Sequence, residues 1–419
     1  MTSLALTGLS AFCQGAERIG RVGAVVMAFG MPTSMTITSL GAVMMLAGWL
    51  ASLSFQDTLS YTRDSHVARG IGLMIIIATV GWFYADAEVR HTVRAYTSYA
   101  KYGLVVIMAY LLRDDLWLKR TFAAFVLGVI FTMACTILAL WSPVPWAVSQ
   151  ASGWGNDLSV VSNYIVQSLT FVGFIWYAVG VSADSASERN KRAVYLLLAL
   201  GALFSVVFLL RGRTGLMAIL LSAVVITLVF APKYKILFGL SVLGALVGMV
   251  AWSPTLWPSL QQGWGQLLHF EGLQTATNSW GARLSMYLLS WDLISQAPLF
   301  GHGLGDYRTL SLAFYEDKAM QGISAVHPHN QFLFAWVELG LAGILVWCYL
   351  LWGIFRDSKS SSLAQQIFAM GVLLTLTADS LFHAPVWMGN ERNIFIVLLG
   401  LSTAASLNSQ QKSRSGYEG

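Results

Sequence analysis

Charge is scarce in this sequence. Charged residues make up 11% of its 419 residues, whereas 56% are hydrophobic. Ordinary soluble domains carry roughly 25% charged residues, so this chain has too few to cover the surface of a water-soluble globule. Several apolar runs approach or exceed the roughly 17–25 residues that cross a bilayer as a helix. The composition therefore excludes an ordinary soluble protein and predicts an all-α integral membrane protein.

Cysteine is scarce as well. Cys13, Cys135 and Cys348 lie in or near apolar segments, and three such residues predict neither a disulfide framework nor a cysteine-based metal cluster. The first 20 residues lack the basic start and the small-residue cleavage site of a secretory signal, so we expect no removed signal peptide.

The apolar runs predict about twelve transmembrane helices. These lie at about 20–34, 36–53, 70–85, 95–112, 121–140, 161–182, 193–210, 214–230, 237–252, 331–355, 364–381 and 393–407. Nine spans thus fall in residues 1–252 and three in residues 331–407, with a polar tail at 408–419. Between the two groups, residues 253–330 form one long outer loop, and a long loop with a helix of its own is usually functional.

The basic residues are divided unequally between the two sides of the predicted membrane. If the N-terminus is cytoplasmic, 16 of the 25 lie on the inner side: Arg18, Arg21, Arg63, Arg69, Arg113, Lys119, Arg120, Arg189, Lys191, Arg192, Lys233, Lys235, Arg356, Lys359, Lys412 and Arg414. The other nine lie outside: Arg90, Arg94, Lys101, Arg211, Arg213, Arg283, Arg308, Lys318 and Arg392. Short basic inner loops follow the positive-inside rule. The basicity therefore predicts cytoplasmic termini and no nucleic-acid partner.

The long loop contains a predicted amphipathic helix at residues 282–295, which Pro298 ends. Trp280, Tyr287 and Trp291 would place this helix at the lipid interface, where aromatic rings are favoured.

The strongest local pattern begins at His327 and leads into the tenth span. We expect Pro328 to be the first helical residue, which puts His329 in the first turn, where the helix dipole keeps the imidazole neutral and available as a base. Gly340 and Gly343 lie on the same face as His329 and would let another helix approach closely. Glu338 points the opposite way. The alternative is a histidine that only hydrogen-bonds at the interface.

A second pattern, Arg211-Gly-Arg213-Thr-Gly215, lies between spans seven and eight on the outer face. Arginines at a membrane boundary can simply extend to the interface. Two of them around a glycine, on the side where basic residues are disfavoured, instead predict an anion site. Arg283 is the single cation on the predicted loop helix.

Acidic residues give weaker signals. Asp86 and Glu88 have the spacing of a metal-binding pair, but we favour a solvated helix end paired with Arg90. The Gly-rich run from Pro298 to Tyr307 follows no strand, so it is not a dinucleotide motif, and it predicts a tight turn packed on the bilayer. Near the end of span eleven, four further residues border the same region: Asp379, His383, Glu391 and Arg392.

These residues resemble one known family. His329, Asn330, nine residues, Gly340, two residues and Gly343 match the signature of the O-antigen ligases. The Arg213-Thr-Gly turn is similar to a turn of that family, and so is Arg283 followed by Pro-Leu-Phe-Gly-x-Gly.

The resemblance implies a C-type glycosyltransferase (GT-C) fold in the bacterial inner membrane. Enzymes of this kind move O-antigen from undecaprenyl diphosphate to lipid A–core oligosaccharide at the periplasmic face. They are inverting and need no metal or other cofactor. By this resemblance, His329 would be the general base, Arg213 and Arg283 would bind the diphosphate and Arg211 would assist. The acceptor or the site border would be contacted by His327, Asn330, Asp379 and His383.

Three alternatives stay open. O-antigen polymerases use the same donor, but often carry Arg-x10-Gly in two outer loops, and Val224 and Ile294 occupy the glycine positions here. Protein O-oligosaccharyltransferases usually add a C-terminal outer domain, whereas this chain ends 12 residues after its last predicted span. A transporter would place polar groups near the bilayer midplane in two related halves, and we detect no repeat.

The predicted topology can be tested by labelling single cysteines after the native cysteines are replaced. A cysteine at Gln274 should react with an impermeant maleimide in intact spheroplasts, because the long loop faces outward, and one at Ser187 should not. The reverse pattern would put every proposed site on the cytoplasmic side.

Overall fold

The computed structural model describes residues 2–184, 187–230, 235–268, 279–317 and 326–415. Within these ranges every regular element is helical. The α-helices are α1 (Thr2–Thr33), α2 (Met35–Ala51), α3 (Phe55–Thr62), α4 (His66–Trp82), α5 (Val89–Ala100), α6 (Gly103–Leu111), α7 (Asp115–Leu138), α8 (Tyr164–Ala183), α9 (Arg189–Phe204), α10 (Arg213–Phe230), α11 (Lys235–Ala251), α12 (Leu256–Leu268), α13 (Ser279–Gln296), α14 (Asp306–Asp317), α15 (Gln331–Ser358), α16 (Leu363–Phe382) and α17 (Gly389–Ser415). A π-helical turn, Ser205–Leu209, extends α9. Lys233, Gln274 and Lys318 lie outside the described residues.

Six of the described helices are long and apolar enough to cross a membrane: α7, α8, α9 with its π-turn, α10, α15 and α16. The number rises to eight if two bent pairs each count as one span, α2 with α3 at 107° and α11 with α12 at 87°. The chain is therefore a multi-pass membrane protein. Every predicted span overlaps a helix, but the stretch 95–112 is divided between α5 and α6, and α4 has only 17 residues.

The described part of the long loop is itself helical. α12 folds back after α11, α13 covers the helix predicted at 282–295, and α14 follows the Gly-rich run. α13 includes all of residues 282–295, so the predicted helix is present, and it ends at Gln296, two residues before Pro298.

α15 forms the centre of the packing. It contacts α4, α13, α14, α16 and α17, while α16 also packs on α8 and α10. Phe334, Trp347 and Leu350 of α15 are buried in the shared core. Near the other end of α15, the Asp357 carboxylate accepts hydrogen bonds from the Ser65 hydroxyl (2.7 Å) and the His66 amide (3.0 Å), which fixes the start of α4. This packing brings the starts of α10 and α15, the end of α16 and part of α13 together.

Candidate functional site

The arginine pattern forms a sharp entry into α10. Arg213 is the first residue of that helix, so Thr214 lies inside the helix rather than capping it. A Cβ atom at Gly212 would lie 2.6 Å from the Ser168 hydroxyl and 3.0 Å from the Tyr164 carbonyl. Only glycine allows this close approach to α8 without a rearrangement, which explains why a glycine separates the two arginines.

Arg211, Arg213 and Arg283 line one polar cavity of about 410 Å³, although the last of them is 70 residues further along the chain. The remaining lining residues are Tyr164, Ile165, Thr214, Pro254, Thr255, Pro258, Ser259 and Gln262. The Arg213 Nε atom donates a hydrogen bond to the Ser259 hydroxyl (2.6 Å), and the Arg211 Nη2 atom donates to the Gly155 carbonyl (3.3 Å). The Arg283 guanidinium lies 6.0 Å above the ring of Trp280.

Within the described ranges, none of the three guanidiniums forms an ion pair with a carboxylate. The backbone amide of Arg211 donates to the Asp157 carboxylate, and the positive charge of Arg211 also acts on that carboxylate, but the two side chains form no ion pair. Like charges that converge in a partly buried cavity repel one another, so an anion that bridges them is stabilised. The cavity is therefore suited to a phosphate or diphosphate.

α15 begins later than its sequence predicts. Asn330 is its N-cap, and the side-chain oxygen accepts a hydrogen bond from the Leu333 amide (3.1 Å). The expectation that Pro328 is the first helical residue and His329 lies in the first turn is wrong, because asparagine is a strong N-cap. His329 instead precedes the helix with a φ of +51°, an uncommon conformation for a residue with a side chain.

Hydrogen bonds from three elements hold this left-handed residue in place. The His329 amide donates to the Nδ1 atom of His327 (3.2 Å), and the Tyr287 hydroxyl of α13 donates to the His329 carbonyl (3.2 Å). The Asn330 side-chain amide donates to the Leu381 carbonyl of α16 (3.2 Å). A residue keeps a strained, positive φ only when the surrounding structure fixes its backbone, and such residues are common at functional sites.

Three histidine rings meet at this point. The ring centroids of His327 and His329 are 4.4 Å apart, and those of His329 and His383 are 5.9 Å apart. The Nδ1 atom of His383 lies 2.9 Å from the Oδ1 atom of Asp379, one helical turn earlier. His327, Asn330, Asp379 and His383 therefore all gather around His329.

Burial is the main cause that lowers the pKa of His329 to about 2, and the charges of His327, Arg283 and His383 lower it further. Burial also lowers the pKa of His327 to about 4, with help from His383 and Arg283. Both imidazoles are therefore neutral near pH 7. The lowered pKa of His329 has the direction expected from the sequence. Its main cause is burial of the ring rather than a position at a helix start. Arg283 belongs to both the arginine cavity and the histidine cluster, so the two adjoin.

Gly340 interrupts α15 with a φ of +65° and a ψ of −158°. The Gly-rich run fills this break: the His302 amide donates to the Val337 carbonyl (2.8 Å), and the Leu341 amide donates to the Leu299 carbonyl (3.1 Å). The turn predicted for this run therefore packs on α15. A Cβ atom at Gly340 would collide with the Leu299 carbonyl.

The helix-packing role expected of Gly340 and Gly343 is also corrected by this break. A Cβ atom at Gly343 would meet Ala335 and Leu339 of its own helix. The nearest neighbours of both glycines belong to the Gly-rich run or to α15 itself, so both glycines allow α15 to bend. Glu338 is buried, and its Oε1 atom accepts a hydrogen bond from the Gly305 amide (3.0 Å).

The acidic residues near α5 have structural partners. The Glu88 carboxylate forms an ion pair with Arg90 (2.5 Å), as favoured from the sequence. The backbone amide of Asp86 donates to the Asp306 carboxylate (3.1 Å), and the amide of Ala87 donates to it as well. Asp306 therefore anchors α14 to this loop. Among the described residues, one group has the geometry to hold a metal ion, namely Asp379, His383 and Glu391, whose candidate ligand atoms lie within 4.8 Å of one another.

Tyr287 is a site residue that sequence reasoning placed only at the lipid interface. It follows Arg283 by four positions on α13, a spacing that puts two side chains on one helix face. The position of Arg283 could therefore have predicted Tyr287 as a site residue. No such spacing in the sequence predicts Ser259 of α12.

An all-helical membrane protein with a polar cavity rich in arginine, beside a cluster of neutral histidines, has the groups needed to transfer a phosphate-linked substrate. Residues 194–348 match the family model described as O-antigen ligase. A search of curated proteins found no match. This match covers less than half of the chain and supports an assignment to the O-antigen ligase family.

The break in α15 gives a test of the site's framework. Gly340→Ala should lower the thermal stability of the purified protein and its activity, because a side chain there would collide with Leu299 and adopt a strained φ, at a cost of about 1–3 kcal/mol. Gly72→Ala in α4 is the matched control, since a Cβ atom there meets nothing within 4 Å. Equal melting temperatures for the two variants would contradict the role given to Gly340.

Proposed function

We propose that this protein transfers O-antigen glycan from undecaprenyl diphosphate to lipid A–core oligosaccharide at the periplasmic face of the inner membrane. The observation that carries the proposal is the convergence of three guanidiniums without carboxylate partners, in the described residues, beside the neutral His329. A diphosphate leaving group needs fixed positive charge. A sugar hydroxyl needs a base.

In the proposed step, an acceptor hydroxyl attacks the anomeric carbon from the side opposite the diphosphate, which inverts the configuration. The O–H bond breaks and its proton passes to His329. The bond between the anomeric carbon and the phosphate oxygen breaks, and its electron pair leaves with the diphosphate. Arg213 and Arg283 stabilise that charge through bidentate contacts, and Arg211 assists from the cavity wall. These cations supply the charge stabilisation without a metal ion.

A second candidate is an O-antigen polymerase, which would use the same donor and a lipid-linked glycan as acceptor. The family match favours it as much as a ligase, because the arginine cavity serves any polyprenyl-diphosphate donor. The absence of Arg-x10-Gly after Arg213 and Arg283 supports the ligase. A protein O-oligosaccharyltransferase would need the same donor site, whereas a transporter would not need a neutral histidine beside an anion cavity.

The acceptor distinguishes these candidates. Deleting the gene should give lipopolysaccharide without O-antigen while lipid-linked polymer accumulates, and the purified protein should join the two substrates in vitro. Single repeats still attached to the core in the deletion strain would indicate a polymerase. Normal lipopolysaccharide would reject both functions.

We expect Arg213 and Arg283 each to be required. Alanine at either position should reduce turnover by about 10²–10³, the usual effect of losing one preorganised donor. Lysine should restore only part of the rate because it lacks the planar fork of a guanidinium. Arg308→Ala is a control on α14, outside the lining of the cavity. Near-native turnover of both alanine variants would mean that the diphosphate binds elsewhere.

His329→Ala should abolish transfer while donor lipid still binds, because a positioned base contributes about 10²–10⁴ in rate and the arginines remain. His327→Ala should have a milder effect and serves as the neighbouring control. Donor affinity and single-turnover rate should be measured on both variants. Weakened donor binding in His329→Ala would instead make His329 a ligand of the diphosphate.

A further inference from the structure

His383 and Asp379 form a buried pair at the end of α16. The carboxylate accepts from the Nδ1 atom of the ring at 2.9 Å, and the two side chains are 1% and 0% exposed. The His383 amide also donates to the Asp379 carbonyl (2.7 Å). Asp379 thus bonds both the backbone and the side chain of His383, which fixes the orientation of the imidazole ring. With the proton on Nδ1, the Nε2 atom of the neutral ring carries the lone pair.

Two buried ring nitrogens in this cluster have no hydrogen-bond partner: the Nε2 atom of His383 and the Nδ1 atom of His329. The rings that carry them are 5.9 Å apart, centroid to centroid. Buried polar atoms are nearly always paired, so these two nitrogens on neighbouring rings are available to hydrogen-bond to each other if the rings move closer.

We propose that His383 and Asp379 are positioning residues that orient His329 and share the proton it takes up. This inference rests on the proposed function. His329 accepts the proton of the acceptor hydroxyl at Nε2, while its own Nδ1 proton is donated to the Nε2 atom of His383. The Nδ1 proton of His383 stays shared with the Asp379 carboxylate, whose negative charge balances the added proton. No atom or electron is needed beyond those of the two substrates.

The pair has other polar neighbours. Glu391 of α17 lies close to Asp379, and Tyr102, the N-cap of α6, lies near both carboxylates. The charge of Arg283 acts on Glu391, His327 and His329. His383 also interacts with His327, the Tyr287 hydroxyl donates to the His329 carbonyl, and the charge of Arg392 acts on Tyr102. These neighbouring residues are unchanged in the variants that test the pair.

Asp379, His383 and Glu391 could alternatively hold a divalent cation. Two observations favour the proton pair. One oxygen of Asp379 and one nitrogen of His383 are already bonded to each other, and the positive charge of Arg283 acts on Glu391. Cation binding is therefore the competing outcome of the test.

Asp379→Asn and His383→Gln should each lower the turnover number by about 10–100-fold, the usual effect of losing the partner of a functional histidine. The apparent KM for the donor lipid should not change, because the arginine cavity is untouched. In Asp379→Asn the acid limb of the pH–rate profile should move to lower pH, because the lost negative charge no longer favours the protonated histidines. Asp379→Glu should recover part of the rate.

Ser380→Ala is the matched control. Ser380 neighbours Asp379 on α16, is fully buried, and donates its hydroxyl only to the Leu376 carbonyl of its own helix (2.6 Å). Its turnover and pH profile should equal those of the wild type. Thermal melting identifies any variant that does not fold, and His383→Gln tests the pair independently of Asp379→Asn.

The proposal is overturned if Asp379→Asn and His383→Gln fold and keep wild-type turnover, or if the acid limb does not move in Asp379→Asn. It is also overturned if the wild type contains one equivalent of metal by elemental analysis and loses activity in EDTA until magnesium, manganese or zinc is added. Failure of the proposed function is a separate result, because the wild-type protein would then not transfer glycan at all.

Discussion

The break of α15 at Gly340 is the constraint on which the site depends. A backbone group in a membrane protein cannot be left without a hydrogen bond, because lipid offers no partner. The amides of the Gly-rich run and the carbonyls around the break satisfy one another. This pairing attaches the end of α13 to α15, and α13 carries Arg283 and Tyr287. The position of α13, and with it that of Arg283 and Tyr287, is thus fixed relative to α15 by backbone hydrogen bonds.

Under the proposed function, the electrostatics of the site suit a substrate that brings its own negative charge. Arg283 disfavours a proton on His329, and the converging guanidiniums disfavour one another. An anion in the cavity would relieve both effects and make His329 a stronger base. A base with a pKa far below the working pH is inefficient, so donor binding would raise its basicity where it is needed. Free enzyme without donor would therefore have little tendency to activate a hydroxyl.

The sequence predicted site residues best where a residue type at a given position has one good physical explanation. Paired arginines on the wrong side of the positive-inside rule, and histidines before a predicted span, identified residues that the structure brings together. The sequence predicted local structure least well where two residues near each other each favour a different helix start. Pro328 and Asn330 can both start a helix, and the side-chain cap prevailed. The break at Gly340 depends on residues 40 positions earlier, and the role of Asp306 depends on residues 86 and 87. Helix periodicity contains no information about such contacts.

The division of the site along the chain bears on what separates a ligase from a polymerase. All three arginines and His329 lie in residues 194–348, the segment that matches the family. Asp379, His383 and Glu391 lie beyond it, on α16 and α17. Both reactions need the same activated donor and differ in the hydroxyl that must reach the base. Selection of the acceptor therefore has to come from surfaces that approach His329 from the side away from the arginine cavity. His383, at the end of α16, lies beside His329 and outside the matched segment, so we expect residues that choose the acceptor there rather than in the shared segment.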